Sequence, residues 1–181
     1  MDRFLVEQAQ RGDREAFTTL AFELSDRLFA VAHRILRDFD SAGDALQVTL
    51  LNIWRDLPSL RNADLIESWS YRILVRACHD QLRTKRRRAP ALHLYPRPAV
   101  EQGPDLAVAD RDQLDRAFER LTADQRAAVV LHYYRGLTLQ EIAEVLRVPV
   151  GTVRSRLHYA KRAMRAAIEA DARPTRKGRL A

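Results

Sequence analysis

TLQEIAEVLRVPVGTVRSRLHYAKR, residues 138–162, reads as two helices joined by a tight turn. Thr138 followed by Glu141 is a capping box: the hydroxyl accepts from an otherwise unpaired N–H, and the glutamate reaches back to the cap. Ile142, Ala143 and Leu146 give the short helix a single apolar stripe. Arg147, Val148 and Pro149 break it, and proline, with its fixed φ and no N–H, suits the start of a second helix. There Val153, Leu157, Ala160, Met164 and Ile168 recur at helical spacing, while Arg154, His158, Lys161 and Arg165 recur on another face. One face is apolar and the other carries donors for phosphates and base edges. A basic amphipathic helix alone is more often a solvated surface. The order of short capped helix, Val-Pro turn and long basic helix points instead to a helix-turn-helix that binds nucleic acid.

The charge distribution agrees. The chain has 181 residues, enough for one domain or two small ones, and a net charge of +7. Residues 1–88 carry 15 basic and 13 acidic side chains, residues 89–112 carry 2 and 4, and residues 113–181 carry 14 and 7. The whole excess therefore lies in the last third, where it would steer the chain toward a polyanion. Arginine outnumbers lysine 28 to 3, which favours planar, bidentate donors to guanine or phosphate. No apolar run of about 18 residues supports insertion into a membrane. The N-terminal MDRFLVEQAQRGD lacks the apolar core of a signal peptide, so a cytoplasmic location is expected. Cys78 is the single cysteine, which excludes an intramolecular disulfide and a multi-cysteine zinc site; no metal and no cofactor is expected.

Working outward, nearly everything up to Arg88 reads as helix. Asp13 is a cap for a segment with Ala16, Phe17 and Leu20 inward, and Ser25 a cap for the next, with Leu28, Phe29, Ala32, Ile35 and Leu36 as its stripe. Asp40 or Ser41 opens a third helix, SAGDALQVTLLNIWRDL, ending near Pro58. Residues 59–64, SLRNAD, form a polar loop before a long helix from about Leu65 to Arg88. Residues 89–105 hold Pro90, Pro96, Pro98 and Pro104 and show no period, which predicts an extended, flexible linker. Residues 106–121 resume helical spacing, and Thr122 with Gln125 makes a second capping box before a helix ending near Gly136. The predicted fold is all-α: two small helical domains, 1–88 and 113–170, joined by the linker 89–112 and followed by a basic tail, 171–181.

Two further clusters invite function. Cys78-His79-Asp80 does not converge on a helix, because successive side chains point about 100° apart, and no glycine-rich phosphate loop or HExxH pair is present. A catalytic role is not expected. Arg83-Thr84-Lys85-Arg86-Arg87-Arg88 exceeds what complementing a helix C-terminus requires and suggests phosphate contacts.

Together the two halves resemble a bacterial RNA polymerase sigma factor of the extracytoplasmic-function group, reduced to regions 2 and 4. The likeness spans residues 11 to about 168. GDREAF (12–17) is similar to the family's opening helix, and Asp44 and Gln47 ahead of Leu51 and Trp54 to its core-polymerase-binding surface. Residues 69–88, WSYRILVRACHDQLRTKRRR, resemble its promoter-opening helix, and residues 121–157 its DNA-binding domain. The resemblance implies that region 2 docks on the clamp helices of the largest polymerase subunit and captures a flipped base of the −10 element. Region 4 then binds the flap of the second-largest subunit and reads the −35 element. Carried over to this chain, Arg61, Asn62, Ala63, Trp69, Tyr71, Arg72, Arg76, Arg83 and Arg86 fall to the −10 surface. Arg154, Ser155, His158 and Tyr159 fall at base-facing positions for −35, with Thr152, Arg156 and Arg162 as phosphate contacts. Core polymerase, promoter DNA and an anti-sigma factor are the partners implied. The chain departs from the pattern at Gly43, where an acidic residue is usual, at Arg76 in place of asparagine, and at Tyr159 in place of a frequent arginine. The last shifts the expected −35 preference.

The competing function is a stand-alone helix-turn-helix regulator whose first 88 residues sense or dimerise. The Asp44, Gln47 and Trp54 surface and the linker favour the sigma reading, since a dimeric repressor needs fixed half-site spacing.

Overall fold

The structure, a computed structural model, describes residues 1–88 and 106–171. The proline-rich stretch 89–105 and residues 172–181 lie outside the described residues, and with them most of the linker and tail expectations; residues 106–112, counted in the linker, belong to a helix over Leu106–Glu119. Among the described residues every regular element is helical.

The N-terminal domain is built from α1 (Arg3–Gln10), α2 (Arg14–Leu36), α3 (Phe39–Asp56) and α4 (Ile66–Arg88). Asp2 caps α1, and Gly12, at φ +92°, turns the chain so that Asp13 caps α2 by accepting from the N–H groups of Glu15 and Ala16. The helix expected to restart at Ser25 does not. α2 runs unbroken, and the Ser25 hydroxyl donates to the Ala21 carbonyl one turn back, 2.7 Å away. The reason is the stripe itself: Leu20, Leu24, Leu28, Val31 and Ile35 stay in phase and are all buried. Each of the leucines contributes about 1.5–3 kcal/mol of burial, more than a mid-helix cap could offset.

The start of α3 also differs from expectation. Its cap is Asp38, whose carboxylate accepts from Ser41 N–H at 2.8 Å and pairs with Lys85 Nζ at 3.0 Å. The predicted loop at 59–64 is folded into two 3-10 turns, Leu57–Ser59 and Ala63–Leu65.

The C-terminal domain comprises α5 (Leu106–Glu119), α6 (Ala123–Val129), α7 (Leu139–Leu146) and α8 (Val150–Asp171). Both capping boxes form, at Thr122 with Gln125 and at Thr138 with Glu141. The helix expected to run to Gly136 widens after Val129 into a π turn over Val130–Tyr134, with Arg135 N–H donating to the Val130 carbonyl at 3.1 Å. Val130 and Leu131 are thereby buried, while Tyr133 and Tyr134 face outward. Gly136, at φ +72°, then supplies the left-handed residue that leads into α7.

The two domains share one continuous cluster of buried side chains, from Val6 through Ile35 and Leu74 to Leu131 and Ala160. α4 lies against α7, and the end of α2 against α6 and the π turn.

Asp38 ties α3 to α4 and makes the fold acid-sensitive. Burial works to raise its carboxyl, but the Ser41 N–H and the Lys85 ammonium outweigh that and hold it well below the usual carboxylate range. A depressed folded value means the stabilisation is complete above the unfolded value, about 3.9, and is lost as pH falls below it. Denaturant midpoints measured from pH 5 down to pH 2 should therefore fall, and Asp38→Asn should fall less over the same interval.

Candidate nucleic-acid interface

The turn between α7 and α8 sets how the second helix is presented. Arg147 adopts a left-handed conformation, φ 52°, and the N–H of Val148 closes back on the Ala143 carbonyl at 3.1 Å. The Pro149 carbonyl then accepts from Thr152 and Val153 N–H to start α8. Val153, Leu157 and Ala160 are buried beneath it. On the opposite side Arg154, Ser155, His158, Tyr159 and Arg162 are exposed and Thr152 is half-buried. The Tyr159 ring stands edge-on to His158, their centroids 5.6 Å apart. Arg156 does not join this face. Its guanidinium turns inward to Asp124 at 2.8 Å, at the start of α6, so the phosphate role expected for it is occupied by an internal partner.

The −10 candidates spread over the 3-10 turns and α4. Arg61 and Asn62 are exposed, and the Asn62 side-chain oxygen accepts from Asp64 N–H at 3.0 Å to cap the second turn. Trp69 and Arg72 are half-buried, and Arg76, Arg83 and Arg86 exposed. Ala63 and Tyr71, also expected on this surface, are buried, at 7% and 2%, and their side chains are not presented to solvent in this arrangement. Tyr71 lies in the core with Arg135 of the C-terminal domain 5.4 Å from its ring, and burial pushes its phenol up from the ordinary value. Within the basic cluster, Lys85 is held by Asp38, while Arg83 lies 3.8 Å from Asp80.

Asp44, Gln47, Leu51 and Trp54 fall along one exposed line of α3. Leu51 is 63% exposed, and Trp54 keeps 40% while one edge packs on Phe17 at 4.6 Å. Trp54 is thus both a core contact and a surface. A Cβ at Gly43 would meet nothing within 4 Å, so packing does not require glycine there.

A cavity of about 680 Å³ lies where the domains meet. Asn52 of α3, Trp69, Arg72 and Arg76 of α4, and Leu146 and Arg147 at the end of α7 line it. Sequence reasoning missed the side chains that build this junction. Arg126 Nε donates to the Ile35 carbonyl at 2.7 Å and its Nη1 to the Leu121 carbonyl at 2.9 Å. Arg37 pairs with Asp115 at 2.8 Å and Glu119 at 3.3 Å, and the Arg34 guanidinium stacks 3.7 Å above the Tyr134 ring. His79 Nε2 comes within 3.2 Å of Asp124, without the alignment of a hydrogen bond. Cys78, beside it, is buried, and desolvation pushes its thiol up to about 12, which leaves it inert. Gln10 was missed as well: its amide donates to the carbonyls of Leu60 at 2.6 Å and Leu57 at 3.3 Å, pinning the 3-10 turns. No local pattern marks a contact made across 50 residues.

A helical unit with an exposed basic recognition helix, packed on a second helical unit with an arginine-bearing helix, defines a two-domain DNA-binding protein of the helix-turn-helix class. The family model for Sigma-70 region 2 matches residues 22–88, and that for Sigma-70, region 4, residues 111–164. The RNA polymerase sigma-H factor of Pseudomonas aeruginosa is 30% identical over 93% of this chain and 94% of its own length. The ECF RNA polymerase sigma-E factor of Escherichia coli is 30% identical over 90% and 92%. The fold is similar to that of CnrH, solved in complex with the cytosolic domain of CnrY, at a TM-score of 0.70 with 23% identity, covering 94% of this chain and 99% of that one. It is also similar to that of RpoE from Bartonella quintana, solved with the anti-sigma factor NepR, at a TM-score of 0.67 with 24% identity over 86% and 98%. The chain belongs to the extracytoplasmic-function group of RNA polymerase sigma factors. It is a promoter-specificity subunit, and the stand-alone regulator is not favoured.

Gln10→Ala removes both anchors of the 57–65 segment. A loss of about 1–2 kcal/mol in denaturant unfolding is expected, with faster amide exchange confined to those turns.

Proposed function

We propose a division of labour among three surfaces. The line Asp44, Gln47, Leu51 and Trp54 docks on the clamp helices of core polymerase. Arg61, Asn62, Trp69, Arg72, Arg76, Arg83 and Arg86 hold the −10 strand, the two loop residues facing the extruded base and the arginines its phosphates. On α8, Arg154, Ser155, His158 and Tyr159 read the −35 element, while Thr152 and Arg162 contact phosphate. The observation that carries this reading is the sorting of α8: every base-facing candidate is exposed, while the apolar residues between them are buried. An apolar groove of about 920 Å³ beside Leu114, Phe118, Tyr133, Met164 and Ile168, rimmed by Lys161 and Arg165, is the surface assigned to the polymerase flap. Among the described residues no helix is long and apolar enough to cross a membrane. We place the protein with the polymerase in the cytoplasm, with an anti-sigma factor as a further partner.

Arg154→Ala should cost about 1–3 kcal/mol and relax preference at one −35 position in promoter-library transcription with core polymerase. Arg162→Ala should weaken all promoters alike and lower the salt slope of binding by about one unit. A uniform loss for Arg154→Ala would sink its base-reading role.

Gln47→Ala with Trp54→Ala should weaken binding to core polymerase at least about tenfold, since two interface side chains each supply about 1 kcal/mol or more. Far-ultraviolet circular dichroism separates this from unfolding, because Trp54 also packs on Phe17. A folded double variant that binds core as tightly as wild type would remove α3 from the docking surface.

A further inference from the structure

The cavity of about 680 Å³ between the domains holds positive charge that no partner within the fold offsets. Five guanidiniums line it against two carboxylates, and both carboxylates are engaged. Asp56 takes a two-pronged contact from Arg55, at 2.8 and 2.9 Å, and Asp80 lies 3.8 Å from Arg83. That leaves Arg72 and Arg76 of α4 and Arg147 at the end of α7, whose side chains have no hydrogen-bond or ion-pair partner among the described residues. Arg147 comes to the cavity wall at the left-handed turn between α7 and α8, φ 52°. A concave surface lined by one sign of charge focuses its field on the space it encloses, and an anion there relieves the repulsion among the three.

The lining also selects the kind of anion. Guanidiniums are planar, permanently charged donors whose fork matches phosphate oxygens. Opposite them stand groups that an inorganic ion does not need. Half-buried Trp69 contributes an indole, Ile73 and Leu146 add apolar surface, and half-buried Asn52 offers a carboxamide with no hydrogen-bond partner among the described residues. An indole stacks on a planar ring, and a carboxamide supplies both a donor and an acceptor for the edge of a base. The volume falls within the range of about 300–1,000 Å³ usual for small organic ligands.

We propose that this cavity binds a free nucleoside polyphosphate, with its phosphates on Arg72, Arg76 and Arg147 and its base against Trp69 and Asn52. A compact ligand suits the space better than a continuous strand, because α3, α4 and α7 wall it together and a strand lying along α4 meets Val145 and Leu146. On the sigma reading Arg72 and Arg76 also serve the −10 strand, so nucleotide and strand exclude each other.

The test is isothermal titration of the full-length protein with ATP, GTP and inorganic tripolyphosphate, in EDTA at about 0.15 M salt, where exposed charges are screened beyond about 8 Å. Saturable binding of ATP or GTP is expected, at least about tenfold tighter than that of tripolyphosphate. Arg147→Asn, which tolerates the left-handed φ, should weaken nucleotide binding about tenfold or more, and so should Arg72→Ala with Arg76→Ala. Trp69→Leu should bring the nucleotides down to the affinity of tripolyphosphate, and Asn52→Ala gives a second reading of the base contact should Trp69→Leu not fold. Arg154→Ala with Arg162→Ala removes two charges from α8, outside the cavity, and should leave binding unchanged. Circular dichroism checks that each variant is folded. Absence of saturable nucleotide binding by the wild type overturns the proposal, as does a wild type that binds a single-stranded −10 oligonucleotide but neither nucleotide. Equal affinity for tripolyphosphate would make this a site for phosphate alone, and an equal loss from the α8 pair would reduce it to the general attraction of a basic chain; either result overturns it. Polymerase is absent throughout, so a failure of the sigma reading does not alter the outcome.

Discussion

One guanidinium holds the arrangement of this molecule. Arg126 donates to the Ile35 carbonyl in the last turn of α2 and to the Leu121 carbonyl just beyond α5. Two helix ends, one in each domain, thus direct their unpaired carbonyls and the negative ends of their dipoles at one cation. Desolvation lowers the Arg126 pKa, with the nearby Arg37 adding to the effect, yet arginine remains charged at any ordinary pH. Without Arg126 those carbonyls would be buried without this partner. Around this contact the shared core closes, α7 settles against α4, and the cavity between the domains takes its shape.

The local rules of the sequence reach a long way into this fold. Capping boxes at Thr122 and Thr138, the proline at the turn and the apolar phase of α8 through Val153, Leu157 and Ala160 are contacts within a few residues, and all form as the pattern implies. Errors fall where two local signals compete. Ser25 is a fair cap by residue type, but it sits within a stripe of leucines whose burial is worth several times more. Asp38 prevails over Asp40 and Ser41 because Lys85, 47 residues away, makes it the better anchor. The π turn at Val130–Tyr134 has no signature short of the packing that demands both Val130 and Leu131 inside.

The functional surface divides in the same way. Exposure of Arg154, His158 and Arg162 follows from helical phase alone. The inward turn of Arg156 does not, because Asp124 lies 32 residues earlier and reaches it only through the fold. Tyr71 was legible as an aromatic residue in a DNA-facing stretch, but its place in the core, with a guanidinium of the other domain 5.4 Å from its ring, was not. Residues that join distant segments were the ones missed, since neither Arg37 nor Gln10 carries a mark distinguishing it from a solvated side chain.

The Arg126 contact has a consequence for how the protein changes over generations. Its acceptors are main-chain carbonyls, which every amino acid supplies, so the bond itself makes no demand on the side chains at 35 and 121, which answer only to the core they fill. Arg37 against Asp115 and Glu119 is a contact between side chains, and there a change on one side invites a compensating change on the other. Across relatives the second contact would leave paired substitutions, whereas the first would leave a solitary arginine with no correlated partner. The tie that runs through the main chain is therefore the one that comparison of sequences is least able to reveal.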